Sequence, residues 1–341
     1  MSNGQFFFQK PEGLFQYFVQ VGAYTIPSLG TPYVNTHEAT GDFSGPLPVA
    51  YLYLAPTSTF SIEGGKLPTL IGAGYTFSFQ NPNIEHSLLW NQEPAVSRGG
   101  QLNYTAGPVA LSFSLNDGFY SNRYTWLTGS ATYTLDSANK FTLFAGGNYA
   151  HTTKSTLATS LFQNNETILN LIYIHNSAPW AFATGLQFTR VPTVASIGVL
   201  TSASTAGGGL LVNYSFGDNS PLRGVALPVR LEYISSTGSL ADGAPNLYGP
   251  GQTRGQSRHR RRPLYAVTVG AATVLTSKAR AATMVVSGFG LTGKWKSRLT
   301  NGAMKTQTYA QNRIGEVLEV TATIPMTPER EVARGLVWAG T

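Results

Sequence analysis

Cysteine is absent from the 341 residues. That excludes disulfide frameworks, thiolate metal sites and cysteine nucleophiles, and it agrees with an oxidising envelope compartment. Charge is scarce as well: charged residues make up 11% of the chain, against about 25% in ordinary soluble proteins. No apolar run approaches the roughly 18 residues that a spanning helix requires, which excludes a helical membrane protein. Nor does the start, MSNGQFFFQKPEG, show a basic stretch followed by an apolar one. No export signal is visible, so an envelope protein with this sequence is expected to lack its leader here or to begin elsewhere.

What fills the gap is glycine (37 residues), aromatics (12%) and uncharged polar residues. Low charge without long apolar runs suits a barrel, in which alternation hides apolar side chains from any sliding window. The alternation is plain from Gln101 to Tyr149. In Pro108–Asn116, Val109, Leu111, Phe113 and Leu115 fall on one side, and Ala110, Ser112, Ser114 and Asn116 on the other. Phe141, Leu143, Ala145, Gly147 and Tyr149 alternate with Thr142, Phe144, Gly146, Asn148 and Ala150. Successive strand side chains point to opposite faces, so each segment has one oily face and one small or polar face.

Eleven such strands can be read before Gly251, from Phe15–Tyr24 to Val225–Ser235. Pro228 lies inside the last, and proline donates nothing to a ladder, so that strand could begin at Val229. Between strands the connections run short, long, short, long, with Asn, Asp, Gly, Pro and Ser in the tight turns. Soluble sandwiches have no reason to alternate loop length, whereas outer-membrane barrels have short periplasmic turns and longer outer loops. The expected fold is all-β: an up-and-down antiparallel transmembrane β-barrel of at least 10–12 strands, its closure left open by the odd count, with an atypical C-terminal tail.

The net charge of +7 conceals two halves. Residues 1–251 hold 9 Lys or Arg and 12 Asp or Glu, whereas residues 252–341 hold 14 and 4. The division expected is thus a barrel body over 1–251 and a basic extension over 252–341.

Three stretches carry a family resemblance: GKLPTLIGAGYTFSFQNPNIEHSLLWNQEPAVSRG (Gly65–Gly99), VALSFSLNDGFYSNRYTWLTGSATYT (Val109–Thr134) and YISSTGSLADGAPNLYGPG (Tyr233–Gly251). Over about residues 6–251 the chain resembles the outer-membrane β-barrel porins of OmpL-like type. The resemblance implies a bacterial outer-membrane location, passive transport of small hydrophilic solutes, no enzymatic activity and no cofactor. Outer-membrane lipids and the barrel-assembly machinery are the implied partners, with an oligomer open and nucleic acid excluded. Closing strands of the family kind are expected after Gly251, where the sequence departs from them. One permitted codon choice for Gln252 to His259, read one base out of register, gives Ala-Asn-Ala-Trp-Ser-Val-Thr, so an out-of-frame tail is a specific expectation. The alternatives are a soluble all-β binding or adhesin-like protein, and a non-functional incomplete barrel.

For a porin the functional residues are those that line the bore. With oily faces outward, Gln16, Gln20, Ser112, Ser114, Asn116, Asn148, Gln187, Arg230 and Glu232 point inward. Glu63, Lys66, Arg98, Arg123 and Arg190 stand near strand ends, where charges set ion preference at a mouth or constriction; solvated rim residues or salt bridges are the plain alternative. Tyr24, Tyr124, Trp126, Tyr149, Trp180, Tyr214 and Phe216 lie where an aromatic girdle is expected, with core packing as the alternative. Residues 67–97 are a candidate for a loop folded into the lumen, because Leu88, Leu89 and Trp90 would otherwise be exposed; the alternatives are an extracellular cap, or a further strand pair formed by Tyr75–Phe79. The five histidines have no ligand spacing, so no metal site is expected. No GxSxG elbow supports a hydrolase, and Gly207-Gly-Gly209 is followed by no GK[ST]. The run Arg258-His-Arg-Arg-Arg262 could suit an anionic partner, but no binding fold accompanies it.

Overall fold

In the computed structural model the described residues are 3–29, 34–153, 160–200, 202–223, 225–236, 262–276, 283–300, 303–310, 318–323 and 333–340. Twelve strands precede residue 251. They are β1 (Gly4–Lys10), β2 (Phe15–Ala23), β3 (Val49–Leu54), β4 (Phe60–Pro68), β5 (Val96–Ala106), β6 (Val109–Asn116), β7 (Trp126–Thr134), β8 (Asn139–Asn148), β9 (Thr167–Ser177), β10 (Trp180–Val191), β11 (Ala203–Ser215) and β12 (Val225–Ser236). Each pairs antiparallel with its successor. The described backbone continues with β13 (Arg262–Thr276), β14 (Thr283–Thr300), β15 (Ala303–Ala310), β16 (Leu318–Thr323) and β17 (Ala333–Gly340). Of these, β13 pairs with β12, and β17 pairs with both β16 and β1.

The count of eleven is thus one short, and the strand overlooked is β1, GQFFFQK. Its alternation is masked by three consecutive phenylalanines. Phe6 and Phe8 are exposed, while Phe7 turns to the other face and meets Phe18 and Phe79. At the far end β12 does include Pro228. Proline's missing donor shows only on one side: Pro228 pairs with Asn213 of β11, but the β13 ladder passes from Ala226 to Val229 without Leu227 or Pro228.

Short connections (residues 11–14, 55–59, 107–108, 135–138 and 178–179) alternate with long ones (24–48, 69–95, 117–125, 149–166 and 192–202), and only the last turn, 216–224, is as long as the 117–125 connection. The first long connection contains the single α-helix among the described residues, Thr36–Asp42, whose Asn35 cap accepts from the Glu38 N–H.

Which face is covered decides what the sheet is for. Leu52, Leu102, Leu111, Phe113, Leu115, Leu143, Leu169, Leu171, Leu186 and Phe188 are all exposed, whereas Gln101, Ser114, Asn116, Thr142, Asn170, Gln187 and Thr189, one residue away on the opposite face, are buried. On the other face, Leu29 beyond β2 touches Ile234 of β12 through Leu88. In a flat sheet those two strands would stand roughly 48 Å apart, ten spacings of about 4.8 Å. The contact therefore requires the sheet to curl round, oily side outward and polar side inward. No second sheet or helix layer covers the oily side among the described residues.

Candidate functional site

The inward face is a polar lining into which residues 67–97 are drawn. This segment has two single-turn helices, Ser78–Gln80 and Trp90–Gln92, and buries Leu67, Ile71, Phe77, Leu88 and Trp90. Three apolar clusters seat it. Ile71 packs with Phe119, Trp126 and Ile168; Phe77 packs with Tyr24, Val49 and Val96; Leu88 packs with Leu29 and Ile234. The inward face is thus apolar where the segment lies on it and polar elsewhere, which is why Ile168, Ile172 and Ile234 sit on the same side as Asn170, Arg230 and Glu232.

Polar contacts tie the segment to the far strands. Arg230 donates from Nη1 to the Glu85 carbonyl at 2.8 Å and from Nη2 to the His86 carbonyl at 3.3 Å. Glu232 accepts from the Leu88 N–H at 3.0 Å and lies 3.3 Å from Arg230 Nε. Gln187 donates to the Leu89 carbonyl at 3.0 Å and accepts from Asn170 at 2.8 Å. Thr205 donates to Gln92 Oε1 at 2.6 Å, and Gln163 donates to the Asn91 carbonyl at 2.7 Å. Apart from the Arg230–Glu232 and Asn170–Gln187 contacts within the wall, these bonds join segment backbone or an amide to side chains from β10, β11, β12 and the 149–166 connection, so the segment is fixed at many points rather than at one.

Two carboxylates lie inside this network. Glu93 is buried, and Asn170 donates to its Oε1 at 3.4 Å, while its Oε2 has no hydrogen-bond partner among the described residues. Burial first, and then the charge of Glu232, push the Glu93 pKa up to about 8. Glu166 is fully buried, both its carboxyl oxygens lacking a hydrogen-bond partner among the described residues; burial, and then the neighbouring Glu93, raise it well above the ordinary range. His86 is enclosed between the carbonyls of Pro27 (2.9 Å) and Tyr75 (3.1 Å); burial pushes its pKa down to about 4, against the pull of these two acceptors, which favour a proton on each ring nitrogen.

Of the lining residues expected from sequence, Arg230, Glu232 and Gln187 meet on the segment as described. Ser114 and Asn116 are buried together, Asn116 donating to Ser114 at 2.9 Å and to Thr128 at 3.3 Å. Asn148 donates to the Asn164 carbonyl at 2.8 Å. Gln20 donates to Gln5 on the adjacent strand, and half-buried Ser112 donates to Asn103 at 2.7 Å. Gln16 stands apart, at the β1–β2 turn, where it donates to the Gly13 carbonyl at 2.9 Å.

The end charges do not form one ring. Lys66 and Arg98 face each other across a ladder and flank the Tyr120 ring at 5.5 and 3.9 Å. Arg98 is paired with Asp117 at 2.8 Å. Glu63 accepts from Asn103 at 2.7 Å, on the inward face. Arg123 is exposed in an outer connection, and Arg190 is exposed on the side that carries Leu186 and Phe188.

Among the girdle aromatics, Tyr124, Tyr149 and Trp180 are exposed, and Tyr214 packs at a tilt against Trp180 and edge-to-face with Phe216. Tyr24 and Trp126 differ: both are fully buried on the inward side. Tyr24 donates from its hydroxyl to the Gly45 carbonyl at 3.2 Å, and Trp126 donates from Nε1 to the Asn164 carbonyl at 3.1 Å. Their polar tips are used within the protein, which removes the reason to sit at a lipid boundary. The sequence reading had no means of finding Gln5, Gln92, Glu93, Asn103, Glu166 or Thr205; the first and the last two interrupt no pattern, and Gln92 and Glu93 lie outside any strand.

An oily outer face, a polar inner face and up-and-down connections of alternating length define an outer-membrane β-barrel. A family model described as "Putative beta-barrel porin-2, OmpL-like" matches residues 1–305. The chain belongs to that family, and its place is the bacterial outer membrane. No curated protein matches the sequence. Among solved structures it is similar to outer-membrane expressed OmpT of Vibrio cholerae, at 10% identity over 99% of this chain and 96% of that one, with a TM-score of 0.47. It is similar also to OccK10 (OpdN) of Pseudomonas aeruginosa, at 10% identity over 99% and 97%, with a TM-score of 0.47.

Proposed function

We propose that this porin-family barrel is a channel for passive diffusion of small hydrophilic solutes, and that residues 67–97 form its constriction. The observation that carries this reading is the inward face: amides, hydroxyls and one ion pair surround a segment drawn in from an outer connection. Gln20, Ser112, Ser114, Asn116, Asn148, Gln187, Arg230 and Glu232 line the path, with Gln16 at the periplasmic end. Sparse charge on that lining implies weak ion preference. Lys66 and Arg98 act at the outer mouth, with Glu63 further in. Covalent chemistry is not part of the proposal, so the protein acts as a channel rather than an enzyme. Its assembly would rely on the barrel-assembly machinery, and an oligomer remains compatible with it.

Refolded protein in a planar bilayer should give discrete unitary conductance steps. Liposomes carrying it should swell in monosaccharides faster than in larger oligosaccharides. Absence of stable steps from correctly folded protein would overturn the channel reading.

A further inference from the structure

On the inward wall of β1–β3 the polar lining gives way to aromatic rings. Phe7 of β1, Phe18 of β2 and Tyr51 of β3 stand on adjacent strands. Their ring centroids are 6.2 Å apart from Phe7 to Phe18 and 5.7 Å apart from Phe18 to Tyr51. Phe79 of the inserted segment extends the row, its ring 5.4 Å from Phe7. Tyr53 continues it toward the periplasmic turn, two residues along β3 from Tyr51 and so on the same face.

Seating the segment accounts for Phe77, which is 2% exposed. It leaves Phe7, Phe18, Tyr51, Tyr53 and Phe79 only half-buried. On β4 the partner of Tyr51 is Gly65, which puts no side chain over the ring. Apolar surface left in water is unfavourable, so a row of this length on a solvated wall calls for an occupant.

A lone carboxylate stands beside the row. Tyr53 pairs across the ladder with Glu63. Glu63 is half-buried, accepts from Asn103 at 2.7 Å, and makes no ion pair among the described residues. Arg230 and Glu232 at the constriction differ, because both are buried and each neutralises the other. Aromatic rings attract a cation through their quadrupole, more strongly where water is partly excluded, and a carboxylate adds Coulomb attraction for the same charge. A hydrated inorganic ion meets little more than the carboxylate. An organic ammonium ion gains that contact and also buries its carbon against the rings.

We infer that this row is a binding site for organic ammonium ions passing through the bore. The cationic nitrogen lies among Tyr51, Tyr53 and Glu63, and the carbon groups lie against Phe18 and Phe7. The site narrows the solute class of the channel proposed above and rests on that reading, but its binding is measured without conduction. A barrel that holds choline yet does not conduct would sink the channel alone. One that conducts yet ignores choline would sink the site alone.

Equilibrium dialysis of the full refolded chain in detergent tests it, with choline and neohexyl alcohol, its uncharged carbon isostere, as probes. Wild type should hold choline about tenfold better, the combined worth of the ring and carboxylate contacts in a partly desolvated site. Glu63→Gln keeps an acceptor for Asn103 and should erase most of that preference. Phe18→Leu with Tyr51→Leu keeps apolar bulk on the wall and should weaken choline binding by a similar factor. Equal retention of the two probes by wild type would overturn the assignment, as would choline binding left unchanged in folded protein of either variant. Methyl glucoside held more tightly than choline would make the row a sugar subsite and equally defeat it.

Discussion

Replacing Arg230 with methionine should unseat residues 67–97. The guanidinium gives two bonds to segment carbonyls, at 2.8 and 3.3 Å, and pairs with Glu232 at 3.3 Å. Methionine fills similar volume but offers no donor, and it leaves Glu232 buried without its partner. Breaking a buried ion pair from one side costs about 3–5 kcal/mol. Because every 1.4 kcal/mol is tenfold, the unseated fraction should rise roughly a hundredfold to a few thousandfold. Arg230→Met combined with Glu232→Gln removes both charges and keeps an acceptor for the Leu88 N–H, so it should unseat the segment far less. The direct assay is limited proteolysis of folded protein in detergent, reading cleavage within residues 67–97 against wild type. Conductance is the second reading, with larger or noisier steps expected from Arg230→Met. A cleavage rate indistinguishable from wild type in folded Arg230→Met protein would refute the idea that this contact holds the segment.

Three further outcomes are expected. Phe113→Lys places a charge on the oily face of β6 and should cost about 2–4 kcal/mol near the bilayer midplane, read by urea unfolding in vesicles; a cost within experimental error would show that this face does not meet hydrocarbon. Glu93 is raised to about 8 from a usual 4.5. Its contribution to seating is therefore full below about pH 4.5, in the range of the unfolded group, and is lost as pH rises through about 8. Proteolysis within the segment should increase across that window in wild type and much less in Glu93→Gln with Glu166→Gln, whereas a flat wild-type profile contradicts the assignment. Finally, the gene read across codon 251 tests the reading frame: a one-base insertion or deletion relative to relatives of this family would account for the basic tail, whereas an intact frame, which the family match running on to residue 305 favours, would rule it out.

How much of this could be read from sequence depends on what each side chain touches. The outward rows were legible because lipid imposes one requirement on every strand: Leu111, Phe113 and Leu115 repeat at the two-residue period with nothing to disturb them. Inward rows answer to two neighbours, water and the seated segment, so their polarity varies along a strand. Arg230 and Glu232 stood out because charge two residues apart on an apolar strand is conspicuous. Ile168 and Ile234 were invisible as inward residues, since they resemble the oily row and pack on Ile71 and Leu88 instead. Tyr24 and Trp126 misled for the same reason: their position at a strand end says where they are along the barrel axis, not which face they occupy. The segment itself was legible from Leu88, Leu89 and Trp90, but its carboxylates were not. Glu93 and Glu166 acquire their character from burial alone, which no local pattern announces.

The bond between Arg230 and the Glu85 carbonyl joins positions 145 apart in the chain. A contact of such range can form only after the intervening strands have been laid side by side, because the entropy of gathering that length of chain must be met first. During assembly, then, residues 67–97 are fastened late: eleven strands must stand before the twelfth supplies the hook. A nascent barrel halted earlier would present residues 67–97 loose and cleavable, which makes the cutting pattern of a stalled intermediate a clock for its progress.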